Sequence, residues 1–277
     1  MNKADREWKK RYSLTRSCAG VPTSAEVFSH KETADKMLSV LCRSKHHRSK
    51  DQLASLHFAK GSSVLDIGAG PGTLAVPLAG QGHEVTVVEP SNVMLDAMKV
   101  YQQFCGVEAE IPVICETLEN VETKACAKYD YVLSSFSMDV PDLLKSLLKM
   151  NALCRKQVHI FWFWKNPFWS QMEEDLWSVI HPEEAVAHGT GDLILQCLRE
   201  EKIAARHELF PLPGNTVFHT IEEAVLKYRP RLGITKPEHE HLLKSYLASR
   251  LIRDAQGFYR VPDTGGYAHI WWDAVKI

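Results

Sequence analysis

The sequence predicts an α/β fold in which a mostly parallel, seven-stranded sheet carries helices on both faces. Strand-like and helix-like runs alternate from residue 63 to residue 165, and a glycine-rich turn follows the first strand-like run. Alternation of this kind is typical of parallel strands that are joined by helices and covered on both sides. The chain has 277 residues, of which 45% are hydrophobic, so it can fill the core that such a sheet requires.

Seven runs have the composition of strands, and helix-like runs lie between them. The strand-like runs cover residues 63–67, 84–88, 111–115, 129–134, 158–164, 203–209 and 267–275. The helix-like runs cover residues 73–80, 92–104, 141–150 and 191–201. In the run 141–150 the leucines form one stripe and Pro141 suits a first helical turn.

Residues 1–60 are predicted to be helical and to close over a ligand as a lid. This segment holds 13 Lys and Arg against 6 Asp and Glu, which gives +7, whereas the whole chain has a net charge of −1. A basic face in this segment could meet an acidic substrate, and the alternative is an ordinary solvated helical surface. The near-neutral total argues against a protein built to grip nucleic acid.

A second set of helices is predicted between the last two strands. Thr220 and Glu223 have the spacing of a capping box, and so do Thr235 and Glu238, with Pro237 in the first turn. We therefore expect a helical hairpin across about 219–253. With cap elements at about 166–188 and 211–266, these helices would cover the mouth of a main domain that spans residues 61–277.

The sequence argues against disulfide bonds, a membrane-spanning segment and a metal site. The seven cysteines are scattered without a CxxC pair, which predicts reduced thiols and a cytoplasmic protein. The longest apolar run, 158–164, is far too short to span a bilayer, so no membrane association is expected. His239 and His241 would point to different faces of a helix, and we predict no metal site.

The stretch VLDIGAGPGT, residues 64–73, predicts a nucleotide cradle between a strand and a helix. Thr73 stands where a dinucleotide fingerprint has its third glycine, and no Gly-Lys-Ser/Thr follows for a triphosphate. Asp66 would bring a negative charge that suits a cation. Glu89, 19 residues after Gly70, could accept hydrogen bonds from both ribose hydroxyls. S-adenosylmethionine, a sulfonium with a ribose and an amino-acid tail, fits these features.

VLDIGAGPGT followed by VVEPS resembles the glycine motif and the acidic post-motif of class I S-adenosylmethionine-dependent methyltransferases. ICETLENV at 114–121 and YDYVLSSFSM at 129–138 match two weaker motifs in the same order, and the resemblance covers about 60–165. It implies a Rossmann-like sheet with an antiparallel last strand. It also implies cofactor contacts from Asp66, Gly68, Ala69, Gly70, Glu89, Pro90, Met94, Glu116, Thr117, Leu118, Ser134 and Ser135.

The resemblance implies that Asp66, Ser134 and Ser135 lie near the methionine part and Glu89 on the ribose. Gly68, Ala69 and Gly70 would lie under the cofactor. The adenine would be contacted by Pro90, Met94, Glu116, Thr117 and Leu118. Family members often carry an Asp in the adenine loop, where this chain has Cys115-Glu116. The reaction expected is direct in-line transfer of the methyl group, with S-adenosylhomocysteine as product. Such a reaction depends mainly on positioning the two reactants. No catalytic residue is assigned.

The acceptor is expected to be a small molecule, with a protein acceptor as the second choice. Enzymes that methylate exocyclic base nitrogens carry Asn/Asp-Pro-Pro-Tyr/Phe where this chain has SSFSM, so a nucleic acid is not expected. Two further alternatives are a scaffold or sensor that binds the cofactor without turnover and an NAD-dependent dehydrogenase. The aromatic residues of 159–177 either wall the acceptor pocket or pack the cap onto the sheet. His46, His47 and His181 could supply a base, but surface or capping roles are more usual for such residues.

Overall fold

The computed structural model describes residues 2–17, 22–43, 47–123, 128–182, 186–212, 216–262 and 265–276, with the side chains of 47 and 48 excepted. The helices are α1 Lys3–Ser17, α2 Ser24–Ser29, α3 Lys31–Arg43, α4 His47–Ser55, α5 Ala75–Gly80, α6 Asn92–Phe104, α7 Leu143–Leu153, α8 Phe168–Ile180, α9 Gly191–Glu200, α10 Ile221–Tyr228 and α11 Pro237–Arg250. The strands are β1 Ser63–Ile67, β2 Glu84–Val88, β3 Val113–Ile114, β4 Tyr129–Ser135, β5 Cys154–Lys165, β6 Ala205–Leu212, β7 Val217–Phe218, β8 Ile252–Arg253, β9 Tyr259–Arg260 and β10 Gly265–Asp273.

The main sheet has seven strands in the order β3-β2-β1-β4-β5-β10-β6. The pairs from β3 to β5 are parallel, whereas β10 is antiparallel to both β5 and β6. The predicted mostly parallel, seven-stranded sheet with an antiparallel last strand is thus confirmed. The strand order changes direction at β1, so the loops after β1 and β4 flank the crevice where open α/β sheets bind ligands.

Helices cover both faces of this sheet, as predicted. Apolar side chains of α1, α7 and α9 pack against one face, and those of α5 and α6 pack against the other. Trp8 of α1 is 3% exposed and its indole Nε1 donates to the Val140 carbonyl oxygen at 2.8 Å. The first helix is therefore part of the main core and does not simply lie over it.

The predicted elements differ from the observed ones mainly at their ends. The strand expected at 111–115 is only Val113–Ile114, and β5 begins at Cys154, four residues before the predicted start. Thr220 caps α10 by accepting from the Glu223 backbone N–H at 3.1 Å, as predicted. The second capping box is wrong, because the cap of α11 is Lys236, whose side chain makes no capping hydrogen bond. Pro237 occupies the first position of this helix, where the backbone N–H that proline lacks would have no partner within the helix.

Part of the chain between β5 and β10 builds a second hydrophobic core. It contains apolar residues of α8, α10 and α11 together with Phe218 and Val261. A small antiparallel sheet in the order β7-β9-β8, which the sequence did not predict, lies among these helices. This cluster is called the cap below. Among the described residues, no helix combines the length and the apolar character that crossing a bilayer demands.

Candidate functional site

The carboxyl ends of β1, β2 and β4 meet at one edge of the main sheet. Ile67 pairs with Val88 on one side and with Ser134 on the other. The register therefore brings together three features that are separate in the sequence: the glycine turn after β1, the acid after β2 and the serines that end β4.

Gly68 and Gly70 of the glycine turn are surrounded differently. Gly68 has a φ of +67° and lies so close to Ser137 that an added Cβ would overlap the serine side chain. Gly70 has a φ of +55°, and an added Cβ there would meet no atom within 4 Å. Gly68 is thus required by packing, whereas Gly70 leaves space on the open side of the turn, where a ligand can approach the main chain.

Two buried carboxyl groups flank this space. Asp66 is 2% exposed, and its Oδ1 has no hydrogen-bond partner among the described residues. Burial raises the pKa of Asp66 to about 7, and the nearby Glu89 carboxylate adds to the rise. Glu89 is 6% exposed and accepts from the backbone N–H groups of Gly70 and Ser91, at 2.9 Å each. Burial also raises the pKa of Glu89, against these two hydrogen bonds.

The serines at the end of β4 lie in different surroundings. Ser134 is fully buried, and its hydroxyl is 2.7 Å from that of Ser137, which in turn donates to the Ile67 carbonyl oxygen at 2.6 Å. Ser134 therefore helps to fix the loop beneath the glycine turn. Ser135 is half-buried and its hydroxyl accepts from the Gln52 side-chain amide at 2.9 Å.

Gln52 lies at the candidate site, although no pattern in the sequence selects it. The side chain lies on α4, is fully buried, and its Oε1 has no partner in the described part of the chain. A lone glutamine on a polar helix carries no motif that could have identified it. Its position depends on how α4 packs across the end of β4.

The residues expected around the adenine come from the loops after β2 and β3. Pro90, Glu116 and Thr117 are exposed, and Leu118 is buried in the main core. These loops contact each other, because the Glu89 backbone N–H donates to the Ile114 carbonyl oxygen at 3.1 Å. Met94 is 1% exposed and packs with Ala34 of α3, so it lies between the main domain and the N-terminal helices.

The N-terminal helices contact the site edge at more than one loop. Arg16 and Ser24 both donate to the Asp139 carboxylate, in the loop after β4. On the other side of the glycine turn, the Ser91 hydroxyl donates to the Phe28 carbonyl oxygen at 2.8 Å. The segment therefore spans the carboxyl edge of the sheet from the β4 loop to the β2 loop.

The aromatic residues of 159–177 divide between the two roles that the sequence left open. Trp162, Phe168 and Trp177 are at most 8% exposed, with Trp162 in the main core and the other two in the cap core. Trp169 is only partly buried, and the Arg231 guanidinium lies 4.0 Å from its ring centroid. Most of these rings pack the cap, and Trp169 remains a candidate for ligand contact.

The three histidines considered as bases have different outcomes. The His181 ring Nε2 lies 2.9 Å from the Leu232 carbonyl oxygen, which ties α8 to the turn after α10. His46 and the side chain of His47 fall outside the described residues.

The chain is similar to known methyltransferases along the segment that builds this site. Residues 64–157 match the family described as "Methyltransferase domain". An uncharacterized protein of Haemophilus influenzae is 27% identical over 229 residues, which is 81% of this chain and 81% of that protein. The ubiquinone biosynthesis O-methyltransferase of Vibrio campbellii is 27% identical over 194 residues, or 69% of this chain and 73% of that protein.

A solved structure shares the fold. It is phosphoethanolamine N-methyltransferase 2 of Haemonchus contortus in complex with phosphomonomethylethanolamine and S-adenosylhomocysteine. The TM-score is 0.56 at 16% identity, over 92% of this chain and 61% of that one. The motif order, the sheet order and the family match agree that residues 64–157 form a methyltransferase domain, and the chain is an S-adenosylmethionine-dependent methyltransferase with S-adenosylmethionine as its cofactor.

Proposed function

We propose that this enzyme transfers the methyl group of S-adenosylmethionine to a small-molecule acceptor by direct in-line displacement. The observation that carries the proposal is the enclosure of the site edge by elements of this one chain. The N-terminal helices contact the loops after β2 and β4, and the cap follows directly from the end of β5. An enclosed site suits a small acceptor better than a large macromolecular one. The Vibrio campbellii relative, named for O-methyl transfer in ubiquinone biosynthesis, agrees with this class.

The cofactor residues follow from charge and position. We assign Asp66, Ser134 and Ser135 to the methionine end, the backbone of Gly68, Ala69 and Gly70 to the floor, and Glu89 to the ribose. Pro90, Met94, Glu116, Thr117 and Leu118 are assigned to the adenine. The unpartnered Oδ1 of Asp66 and the open space above Gly70 support this assignment, since a buried acceptor needs a donor.

The chemistry needs little from the protein beyond placement. The cofactor supplies a methyl carbon on a sulfonium, which is already a good leaving group. A lone pair of the acceptor forms the new bond to that carbon while the carbon–sulfur bond breaks and its electron pair stays on sulfur. Holding the two reactants in line removes roughly 7–11 kcal/mol of the barrier. A general base is required only for an acceptor that must lose a proton.

The test uses purified enzyme, cell extract and S-adenosylmethionine with a tritiated methyl group. We expect enzyme-dependent label in the fraction below protein size. Label in the protein fraction instead would support a protein acceptor. A scaffold or sensor would bind S-adenosylhomocysteine in a calorimeter and transfer no label to either fraction.

Asp66 makes cofactor binding pH-dependent. Its pKa of about 7 without ligand should fall when a cationic ligand binds, so binding releases a proton. Affinity for S-adenosylhomocysteine, which keeps the methionine ammonium, should rise about tenfold from pH 6 to pH 8 and level off above the free pKa. Glu89, whose pKa is also raised, acts in the same direction. Calorimetry in two buffers of different ionisation enthalpy measures the proton release, and Asp66→Asn should remove the part that Asp66 contributes. An unchanged affinity across this range would contradict the assignment.

We also propose that residues 1–60 act as a lid on the domain 61–277, whose cap elements lie at about 166–188 and 211–266. Deleting residues 1–50 would remove Trp8 from the main core, so a smaller change tests the idea better. Asp139→Ala removes the acceptor of Arg16 and Ser24. Exposed pairs contribute about 0.2–1 kcal/mol each, so the loss of both contacts should make S-adenosylhomocysteine dissociate roughly two- to thirtyfold faster. Stopped-flow release measures this rate, with Asp96→Ala on α6 as the control. Equal rates would exclude the lid contact.

A further inference from the structure

A polar face runs along α8 inside the otherwise apolar cap. Ser170, Glu173 and Trp177 follow one another at spacings of three and four residues, so they lie on one side of the helix. Their exposed fractions are 0%, 3% and 1%. Within the described residues, neither the Ser170 hydroxyl nor the Trp177 indole N–H has a hydrogen-bond partner. Buried polar groups are nearly always paired, so two unpaired groups on one helix face indicate a missing partner.

Glu173 is held between two side chains from other segments. Its Oε1 accepts from Arg231 Nε at 2.6 Å, and its Oε2 lies 2.8 Å from His188 Nε2. Both carboxylate oxygens are thus engaged, which offsets the cost of burying the charge. Glu173 therefore fixes Arg231 and does not itself offer a free acceptor.

The Arg231 guanidinium is held in place, and its outer N–H groups can still donate to a ligand. The guanidinium stacks on Trp169 at 4.0 Å and uses Nε for Glu173. No described residue accepts a hydrogen bond from Nη1 or Nη2, and the side chain is 39% exposed. An arginine whose stem and plane are fixed offers its outer N–H groups for a planar or tetrahedral oxyanion.

This group connects to the cofactor edge through neighbouring aromatic rings. Phe136 follows the last residue of β4, and its ring centroid is 4.9 Å from that of Phe163. Phe163 in turn lies 6.0 Å from Trp169. The next residue after Phe136 is Ser137, which contacts the glycine turn at Gly68. A row of three aromatic rings, from Phe136 through Phe163 to Trp169, therefore connects the loop beside the glycine turn to Arg231.

Acidic and basic side chains lie at opposite ends of this row of aromatic rings. The cofactor end carries the buried acids Asp66 and Glu89. The cap end carries Arg231 and Lys227, and α3 brings Lys36 within electrostatic reach. Burial lowers the pKa of Lys227, and repulsion from Lys36 and Arg231 lowers it further. An anion between α3 and the cap would relieve this repulsion.

We infer that the acceptor carries an acidic group, a carboxylate or a phosphate, that is bound by Arg231 and the polar face of α8. The inference rests on the proposed transfer to a small molecule and names the class of that molecule. Arg231 offers its outer N–H groups and Ser170 its hydroxyl, which suits an oxygen-rich anion. The acidic group is held and is not methylated, so the product keeps its negative charge.

The charge of the product tests the class of acceptor. The tritium-labelled product of wild-type enzyme and metabolite extract is freed of cofactor and applied to an anion-exchange column at pH 8. We expect the label to be retained. Loss of retention after phosphatase treatment would identify a phosphate, and unchanged retention a carboxylate. A labelled small molecule that is not retained would overturn the inference and leave the proposed function standing, whereas label in protein would refute both.

Variants test the site with the same labelled product. Arg231→Met alone leaves Glu173 buried without its partner, so Arg231→Met is combined with Glu173→Gln. Losing a charged hydrogen bond should raise the acceptor KM about tenfold or more, with S-adenosylhomocysteine affinity unchanged. Arg231→Lys keeps the positive charge but loses the planar guanidinium, so its acceptor KM should lie between those of the wild type and the double variant. Arg229→Met, in the same turn but paired with Glu240, is the matched control. A folded double variant with the wild-type KM would refute the site.

Discussion

Gly68→Ala should cost far more unfolding free energy than Gly70→Ala. Both glycines have positive φ, so an alanine at either position pays a backbone cost of roughly 1–2 kcal/mol. Only at Gly68 does the new methyl group also overlap Ser137, whose hydroxyl is fixed by Ser134 and by the Ile67 carbonyl. Overpacking of this kind adds about 1–3 kcal/mol. We therefore expect about 2–5 kcal/mol for Gly68→Ala.

The two variants also separate folding from binding. Denaturant unfolding measures stability, and calorimetry measures the affinity for S-adenosylhomocysteine of whatever remains folded. Gly70→Ala should stay folded and bind more weakly, because its methyl group enters the open side of the turn. Equal destabilisation of the two variants would show that Ser137 moves aside freely. Normal binding by Gly70→Ala would show that the ligand lies elsewhere.

Glu89→Ala should weaken the cofactor by roughly 1.5–3 kcal/mol, the range for a hydrogen bond to a charged group, or about 10- to 150-fold in affinity. The expected loss is the contact with the ribose hydroxyls. Because Glu89 also accepts from Gly70 and Ser91, the alanine variant disturbs the turn as well. Glu89→Gln keeps an acceptor oxygen and should lose less.

Glu84→Gln provides the control for this measurement. Glu84 begins the same strand but is exposed at the opposite end, so its loss should leave the affinity unchanged. A change below about 0.3 kcal/mol for Glu89→Ala, in a protein that still folds, would mean that the ribose lies elsewhere; hydrogen bonds to charged groups are worth several times more.

The parts of the fold that could be predicted are those whose signals are local. The ends of β1, β2 and α6 agree with the sequence-based bounds, because each is set by an apolar run beside Gly, Pro or Ser. The glycine turn carries its own conformational requirement. The closeness of Asp66 and Glu89 to the glycine turn could also be predicted, because neighbouring parallel strands bring their carboxyl ends to the same edge of the sheet.

The parts that were missed depend on contacts between distant segments. The strands of the cap sheet have two residues each, too few for any alternating pattern. The wrong capping box at Thr235 had the right spacing, but the chain enters α11 one residue later, at Lys236. Hydrogen bonds with Ser135 and Glu173 position Gln52 and Arg231, and nothing near these two residues in the sequence predicts those partners.

The central position of β10 has a consequence for synthesis. This strand joins β5 to β6, yet a ribosome makes it after α8, α9, β6 and the helices of the cap. Until residues 265–273 emerge, β5 and β6 each lack a neighbour and expose unpaired backbone groups. Open strand edges are templates for aggregation. The nascent chain therefore spends the translation of about a hundred residues after β5 with an incomplete sheet, the interval in which it would depend most on a chaperone.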